Sequence, residues 1–364
     1  MRGSLGNTRR SAASQGPKDQ FVFQDEFDDG VIGPLWDVQN LINLSESGDS
    51  LNVVAGGTSN DKLATADTYA QVAGRIWEMR LLCQNSVGAE LKFYAYNIQF
   101  PSWFDTGHTR LLGVFHTPPT TFYSYIPSAN FATYVGYRGL PSEEVVIRLV
   151  ETNPGCIVYI QGTSLDSAYN PGGTTWIPLG YTSGAMHGGA PVYIGSMSYT
   201  LVGSMDYIRC YDKNYALPTP EIDTASPSGP YTLTSPDGMI IAELTYAAGA
   251  TAYIHIRRQD GSNYLRLGAN AAGALVLDEV IGGTPANINT QAGAFSDGLS
   301  YQIEMFMCGQ KVYGHSIVSG KATQKYTGAL TEASFEEELG LDVSVSGGAT
   351  IDKLIYLPPW NPPY

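Results

Sequence analysis

The chain is broken into short apolar runs of alternating pattern, and this punctuation constrains its fold more than any other feature. Runs such as "EVVIRLVE", "CIVYIQG" and "AYIHIRR" are each bounded by Gly, Pro, Asn or Asp. Alternation with a period of two places successive side chains on opposite faces of a strand. No window sustains a helical period, so the pattern predicts an all-β protein built of antiparallel β-sandwiches.

The runs fall into two series, which predict two tandem domains. The first series occupies residues 21–215 and the second residues 231–364. Between them, residues 216–230 ("ALPTPEIDTASPSGP") contain four prolines and little to bury, which is typical of a linker. Residues 1–20 are rich in Gly, Ser and Arg and lack periodicity, so we expect an extended, flexible basic arm.

The charge of the chain is uneven and mostly negative. The net charge is −14, while residues 1–20 carry +3, with four basic residues and one acidic residue. Nucleic-acid binding requires clustered Lys and Arg for phosphate contacts, so the acidic body argues against it. The N-terminus has no apolar core of a signal peptide, and no segment is apolar for long enough to span a membrane. We therefore expect the protein to be made and assembled in a cytoplasm.

Catalytic and metal-binding motifs are missing from the sequence. There is no GxSxG, HExxH or P-loop, and the five histidines are scattered without ligand spacing. The four cysteines show no CxxC pattern and lie in or beside apolar runs, so we expect buried free thiols. We predict that the protein is not an enzyme and has no catalytic residues.

The opening stretch "FVFQDEFDDGVIGPLW" (21–36) crowds four carboxylates between aromatic residues. Such a cluster suits an acid/base pair, a cation site, or the polar side of an entry strand. The residues alone leave all three alternatives open. In the last of these alternatives, the acidic side chains are solvated and alternate along the strand with the buried rings of Phe23 and Phe27.

Two stretches carry a resemblance to a known superfamily. "FQDEFDDGVIGPLW" and "MDYIRCYD" resemble the opening and closing strands of the concanavalin A-like lectin/glucanase jelly rolls. The second half resembles a laminin-G-like module through "NYLRLGANAAGALVL" and "FSDGLSYQIEMFMCGQKVYGHSIVSG", although it has no clear copy of the Phe-x-Asp-x-Phe…Trp opening. The resemblance implies two tandem jelly-roll domains.

The resemblance also carries an expectation about calcium and one about catalysis. A structural Ca²⁺ in this superfamily often joins the N-terminal segment to the Asp that opens the closing strand. Carried over here, the ligands would be Asp206 with Asp25 or Glu26 and backbone carbonyls, and Asp352 would be the counterpart in the second half. The Glu-x-Asp-x-x-Glu strand of the glucanases is not found, which argues against glycan hydrolysis.

Candidate glycan contacts are aromatic and polar residues in turn-rich segments between strands. Sugar rings stack on Trp and Tyr, while Asp accepts hydrogen bonds from hydroxyls. The alternative is that the two tryptophans are buried under their own loops or face another subunit. The candidates are Trp103, Asp105, Tyr123, Tyr125, Tyr169 and Trp176.

Together these features favour a non-enzymatic virion protein, such as a phage tail or capsid-decoration protein. We expect its arm to dock on other virion proteins, its lectin-like domains to bind a host-surface glycan, and the chain to form a homo-oligomer. The C-terminal "PPWNPPY" offers an aromatic anchor in Trp360. The alternatives are a free-standing carbohydrate-binding module and, less favoured, a glycan hydrolase.

Overall fold

A computed structural model shows an all-β protein of antiparallel sheets, which confirms the predicted fold class. In the part of the chain that is described, the only helical elements are two short 3₁₀ turns, Thr163–Leu165 and Pro171–Gly173, and no helix is long and apolar enough to cross a bilayer. The predicted arm, residues 1–20, lies outside that part. The structure describes residues 21–40, 44–53, 60–67, 69–70, 72–83, 89–95, 111–116, 121–126, 133–138, 144–152, 155–165, 170–182, 188–190, 192–198, 203–212, 217–318, 324–326, 331–332 and 334–360.

In the described part of the first half, seventeen strands pair with one another. The main sheet has the order β14-β13-β12-β7-β17-β4-β3, with β1 also on β17, and a second sheet has the order β2-β5-β16-β8-β9. β10 pairs with β11, and β6 with β15. The strands are β1 (Phe21–Asp25), β2 (Trp36–Asn40), β3 (Leu44–Glu46), β4 (Leu51–Val53), β5 (Asn60–Thr65), β6 (Tyr69–Ala70), β7 (Arg75–Cys83), β8 (Ala89–Ala95), β9 (Leu111–His116), β10 (Thr121–Ile126), β11 (Thr133–Arg138), β12 (Glu144–Glu151), β13 (Cys156–Gly162), β14 (Ile177–Thr182), β15 (Gly188–Ala190), β16 (Val192–Ser198) and β17 (Gly203–Asp212).

The second half also contains two antiparallel sheets. One has the order β18-β30-β20-β25-β26-β27, with β28 also on β26, and the other has the order β19-β29-β21-β22-β23-β24. The strands are β18 (Ile222–Ala225), β19 (Tyr231–Thr232), β20 (Gly238–Thr245), β21 (Thr251–Ile256), β22 (Tyr264–Ala269), β23 (Leu275–Ile281), β24 (Thr284–Gln291), β25 (Ser300–Cys308), β26 (Lys311–Val318), β27 (Gln324–Tyr326), β28 (Thr331–Glu332), β29 (Gly340–Ser346) and β30 (Thr350–Leu357).

The two halves share the strand order of one sheet. In the first half the order is β14-β13-β12-β7-β17, with the opening strand β1 also on β17. The second half runs β27-β26-β25-β20-β30-β18. In each, a three-strand meander lies beside a long strand, followed by the closing strand and then the opening strand. Both halves therefore have the same topology in this sheet.

The segment expected to be a linker contributes a strand of its own. Ile222–Ala225 pairs with Lys353–Tyr356 and so forms the edge of the second main sheet. Alternate residues of this strand are half-buried. The four prolines of residues 216–230 lie outside this strand, so the strand can form without disturbing its backbone hydrogen bonds.

The two halves are joined by a shared apolar core. Most of β20 and residues 354–357 of β30 are buried on both faces, which explains why these stretches are apolar runs rather than alternating ones. On β20, Ile240 faces the interior of the second sandwich, while Met239 and Ile241 belong to the core cluster of the first half. Cys308 from β25 joins that cluster and is a buried free thiol, as are Cys156 and Cys210, which confirms the prediction for these three; the side chain of Cys83 lies outside the described part.

Trp360 fastens the end of the second half to the first. Its backbone N–H donates to the carbonyl of Trp176 at 2.8 Å, and its ring centroid lies 5.2 Å from that of Tyr159. The guanidinium of Arg148 lies 4.0 Å from the ring centre of Trp176 and 6.0 Å from that of Trp360. The predicted aromatic anchor therefore packs within its own chain.

We expect Trp360→Ala to lower the free energy of unfolding by about 3 kcal/mol, because truncating a buried Trp removes apolar contacts and leaves a cavity. Denaturant unfolding of the full chain measures this change. Leu299→Ala is the control, since Leu299 is 39% exposed and should change stability by about 0.5 kcal/mol or less. Equal effects of the two substitutions would contradict the role assigned to Trp360.

Candidate functional site

The carboxylates of the opening strand fix that strand to its surroundings. Asp25 accepts from the indole N–H of Trp36 at 2.5 Å and from the backbone N–H of Phe27 at 2.9 Å. Glu26 forms a two-point ion pair with Arg209, with both N–O distances at 2.7 Å. These contacts attach the entry strand to the closing strand and to the core. These two carboxylates of the cluster therefore have a structural role, because they fix the position of the opening strand.

The loop after this strand is held by a residue that the sequence did not single out. Glu46 accepts from the backbone N–H groups of Asp29 and Gly30 at 3.2 and 2.8 Å. Burial is the main factor that raises the pKa of Glu46 above its usual value. A carboxylate that caps two backbone donors stabilises a tight loop, because it satisfies groups that would otherwise lack partners.

The expected calcium ligands do not converge in this structure. Asp206 accepts from the Ser50 hydroxyl at 3.1 Å and lies 3.8 Å from Arg80, whereas Asp25 and Glu26 have the partners given above. Asp352 accepts from Thr245 at 3.0 Å. Among the described residues no group of three or more His, Cys, Asp or Glu side chains is arranged to hold a metal ion. Calcium binding stays a prediction from the resemblance.

Of the six candidate glycan contacts, only the side chain of Trp176 is described, and it is buried. The ring is 2% exposed and carries the Arg148 guanidinium over one face, so it cannot also stack on a sugar there. Tyr123 and Tyr125 lie on the strand β10 rather than in a loop, and their side chains fall outside the described residues. Trp103, Asp105 and Tyr169 lie outside them entirely.

The second half presents a row of polar side chains straight across five neighbouring strands. Register pairs are Asp342 with His255, His255 with Arg266, Arg266 with Asp278, and Asp278 with Asn287. Paired residues in antiparallel strands point to the same face. The flanking residues Ile254 and Leu265 belong to the core, so this is the outer face of the sheet. We call these five residues the polar row: Asp342, His255, Arg266, Asp278 and Asn287.

Contacts along the polar row fix its side chains. Arg266 donates to Asp278 from Nε at 2.9 Å and from Nη2 at 2.8 Å. Asp278 in turn accepts from the side-chain amide of Asn287 at 2.8 Å. Asp278 is buried, and a buried carboxylate is stable only when paired and hydrogen-bonded, which this one is.

Two tyrosines flank the row. The Arg266 guanidinium lies 4.4 Å from the ring centre of Tyr253, a cation–π contact. The rings of His255 and Tyr264 are stacked with centroids 4.4 Å apart and planes at 6°. Nε2 of His255 shares a 2.8 Å hydrogen bond with the hydroxyl of Ser344. Aromatic faces thus lie beside a line of hydrogen-bonding groups.

Turns at the ends of these strands set the register that aligns the row. At one end, the Asp260 carboxylate accepts from the N–H of Ser262 at 2.6 Å, and the Asn263 amide oxygen accepts from the N–H of Gly282 at 3.0 Å. The first turn is thereby tied to the next one. At the other end, Asn270 accepts from the N–H of Ala274 at 3.0 Å. A slip of one residue in any of these strands would turn that strand's member of the row inward.

The environment keeps His255 neutral. Its pKa is lowered to about 4, mainly by burial; Asp342 opposes this shift, and the positive charges of Arg266 and Arg258 add to it. Burial also raises the pKa of Tyr253. At neutral pH the row therefore contains a neutral imidazole, one guanidinium and two carboxylates, with the guanidinium of Arg258 nearby. These groups can donate and accept hydrogen bonds, but none of them is a strong base.

A second perturbed carboxylate lies inside the first sandwich. Burial raises the pKa of Glu151 to about 7, although its hydrogen bonds oppose the shift. It accepts from the Val72 backbone N–H at 2.7 Å and the Trp77 indole at 3.2 Å, and it is 0% exposed. A perturbed pKa often marks a functional site. Here the enclosed carboxylate has no access to a substrate, so its contacts are structural.

Comparisons with known proteins give distant structural likenesses. No family model and no curated protein matches the chain. The carbohydrate recognition domain of Emp47p aligns over 55% of this chain and 99% of its own, at 9% identity and a TM-score of 0.40. The VIP36 exoplasmic/lumenal domain in its Ca²⁺/Man-bound form aligns over 51% and 86%, at 7% identity and 0.39.

A third structure comes from work on endo-acting O-glycanases that members of the human gut microbiota express to initiate mucin breakdown. It aligns over 53% of this chain and 100% of its own, at 11% identity and a TM-score of 0.38. At such identities and scores, these likenesses assign neither a family nor a function to the chain.

Acid should destabilise the protein through His255. Its pKa is 6.5 in an ordinary setting and about 4 when folded, so between these values the unfolded chain binds more protons than the folded one. The contribution of His255 to the free energy of unfolding therefore falls as the pH drops from 6.5 towards 4. The full shift corresponds to about 3 kcal/mol, and solvent screening of the part-exposed ring reduces it.

The matched variant His255→Gln should lose this dependence. Denaturant unfolding of both chains at pH 7.5 and 4.5 gives the difference directly. Glu151, whose folded pKa is raised, acts with the opposite sign in this window and is common to both chains, so it cancels. Identical pH dependence in the two chains would show that His255 is not the titrating group.

Proposed function

We propose that this protein is a non-enzymatic glycan-binding protein and that the polar row of its second half is the binding surface. The observation that carries the proposal is the alignment of the row's five side chains in register across five strands, flanked by Tyr253 and Tyr264. With strands about 4.8 Å apart, the row is about 19 Å long, the scale of a short oligosaccharide.

The chemistry of the row suits sugar hydroxyls. Each hydroxyl both donates and accepts, and the row alternates the donor Arg266 with the acceptor Asp278 and the amide of Asn287. The C–H faces of a sugar ring pack on aromatic rings, and the half-buried Tyr264, which stacks on His255, supplies one, whereas the buried Tyr253 holds Arg266 in place. Because the ion pair and the stacked rings are already ordered, a ligand would cost little side-chain entropy on binding.

The geometry of the row speaks against hydrolysis at this surface. Its two carboxylates, Asp342 and Asp278, lie on strands separated by two others, which is three strand spacings or about 14 Å. Glycoside hydrolases need carboxyl groups about 5–5.5 Å apart for retention or about 6.5–9.5 Å apart for inversion. This spacing supports a binding function.

A role in a virion, as a phage tail or capsid-decoration protein, is the wider proposal. It rests on the basic arm at residues 1–20 and the acidic body, which suit docking of the arm on an acidic assembly. A self-association of the chain and contacts with other virion proteins belong to the same proposal. A free-standing carbohydrate-binding module would have the polar row but no assembly partner.

A glycan array probed with the full chain tests the binding surface. The double variant Arg266→Met with Asp278→Leu removes the ion pair without leaving a buried charge alone, so the fold should tolerate it better than either single change. We expect it to weaken glycan binding by about tenfold or more, since one good charged contact is worth about 1.4 kcal/mol or more.

The matched control lies on the same face but outside the row. Thr251 and Ser346 share a 2.8 Å hydrogen bond between their hydroxyls on the adjacent strands β21 and β29. Thr251→Ala with Ser346→Ala should leave glycan binding unchanged. Circular dichroism and thermal melting of each variant check the fold. Undiminished binding by the Arg266/Asp278 variant would remove the row as the site.

A further inference from the structure

Resting on the proposed function, we infer that the polar row selects neutral glycans and excludes anionic ones such as sulfated or sialylated chains. Arginines on a binding face usually indicate an anionic ligand, because guanidinium pairs well with carboxylate and sulfate groups. Here both arginines near the row already have carboxylate partners within the protein. The face therefore offers hydrogen bonds without a net positive charge.

Arg266 is the arginine in the row, and Asp278 holds its charge. Nε and Nη2 both donate to one oxygen of Asp278, at 2.9 and 2.8 Å, and Tyr253 covers a face of the guanidinium. Only 20% of the Arg266 side chain and 7% of the Asp278 side chain are exposed. An incoming anion would have to compete with an ion pair that is already desolvated.

The other end of the row is balanced in the same way. Arg258 lies 3.7 Å from Asp342, and both side chains are about three-quarters buried, at 29% and 25% exposure. His255 stands between the two ion pairs and carries no positive charge at neutral pH because burial lowers its pKa. The two arginines and two aspartates sum to zero charge along the row and its immediate neighbour.

The surroundings add repulsion. Residues 216–364 contain seven basic and fifteen acidic residues, a net charge of −8. A negative potential over the second half disfavours the approach of anionic ligands and leaves neutral ones unaffected. Local neutrality and a negative background thus act in the same direction.

The test compares neutral oligosaccharides with the same oligosaccharides carrying sulfate or sialic acid, on one array probed with the full chain at low and high salt. We expect the neutral members to bind at least about tenfold more tightly. Their binding should not change with salt, because screening acts on charge–charge attraction. Tighter binding of the anionic members overturns this inference but leaves the proposed function standing. Failure to bind any glycan overturns the proposed function itself.

A charge variant gives a second, independent reading. Asp278→Asn keeps the shape of the side chain but leaves Arg266 uncompensated, so binding of the sulfated or sialylated members should rise by about tenfold or more relative to their neutral counterparts. Asp223→Asn is the control, since it makes the same charge change at a residue paired with Lys353 on the other sheet. Equal effects of both variants would mean that overall charge, and not the ion pair in the row, sets the selectivity.

Discussion

The structure depends on two neighbouring strands, β20 and β30, whose side chains enter the cores of both halves. Strands β20 and β30 place Ile240 and Leu354 in the core of the second sandwich, and Met239 and Ile355 in the core of the first. Because both faces of β20 and of residues 354–357 lie in these cores, these stretches cannot present a ligand-binding face. The outer face of the opposite sheet carries the polar row, which is the proposed binding surface.

Strand identity could be read from the sequence, but register could not. In "RRQDGSNYLRL" the Asp-Gly pair between two alternating runs is typical of a hairpin; β21 and β22 form this hairpin, and Asp260 accepts from the N–H of Ser262 in the turn. The alternating "AYIHIRR" also shows that Tyr253 and His255 share a face. What the sequence does not state is that Arg266, Asp278 and Asn287 lie level with His255. That alignment depends on turn contacts between residues distant in the chain, such as Asn263 and Gly282.

The acidic opening stretch shows a different limit. Composition suggested a cation site, but each carboxylate could equally find a donor within the fold. Trp36 and Arg209 supply such donors to Asp25 and Glu26. Arg209 is 183 residues away from Glu26, so no local pattern reveals the pair. Likewise, Trp176 lies in a segment with the composition of a binding loop. Its contacts with Trp360 and Arg148, which the local sequence does not reveal, bury its side chain in the core.

The shared core also affects the orientation in which the protein would bind a glycan. A flexible linker would let the second half search for ligands independently of the first. Here the shared core and the Trp360 contact hold the second half against the first, so the direction in which the polar row faces is fixed relative to whatever the first half binds. In the proposed assembly, each copy would then present its polar row in the same fixed orientation relative to its own first half. Weak contacts of several rows with separate sugar chains would add through multivalency. A neutral row that binds each glycan modestly is sufficient under that arrangement, because avidity supplies the affinity that the single site lacks.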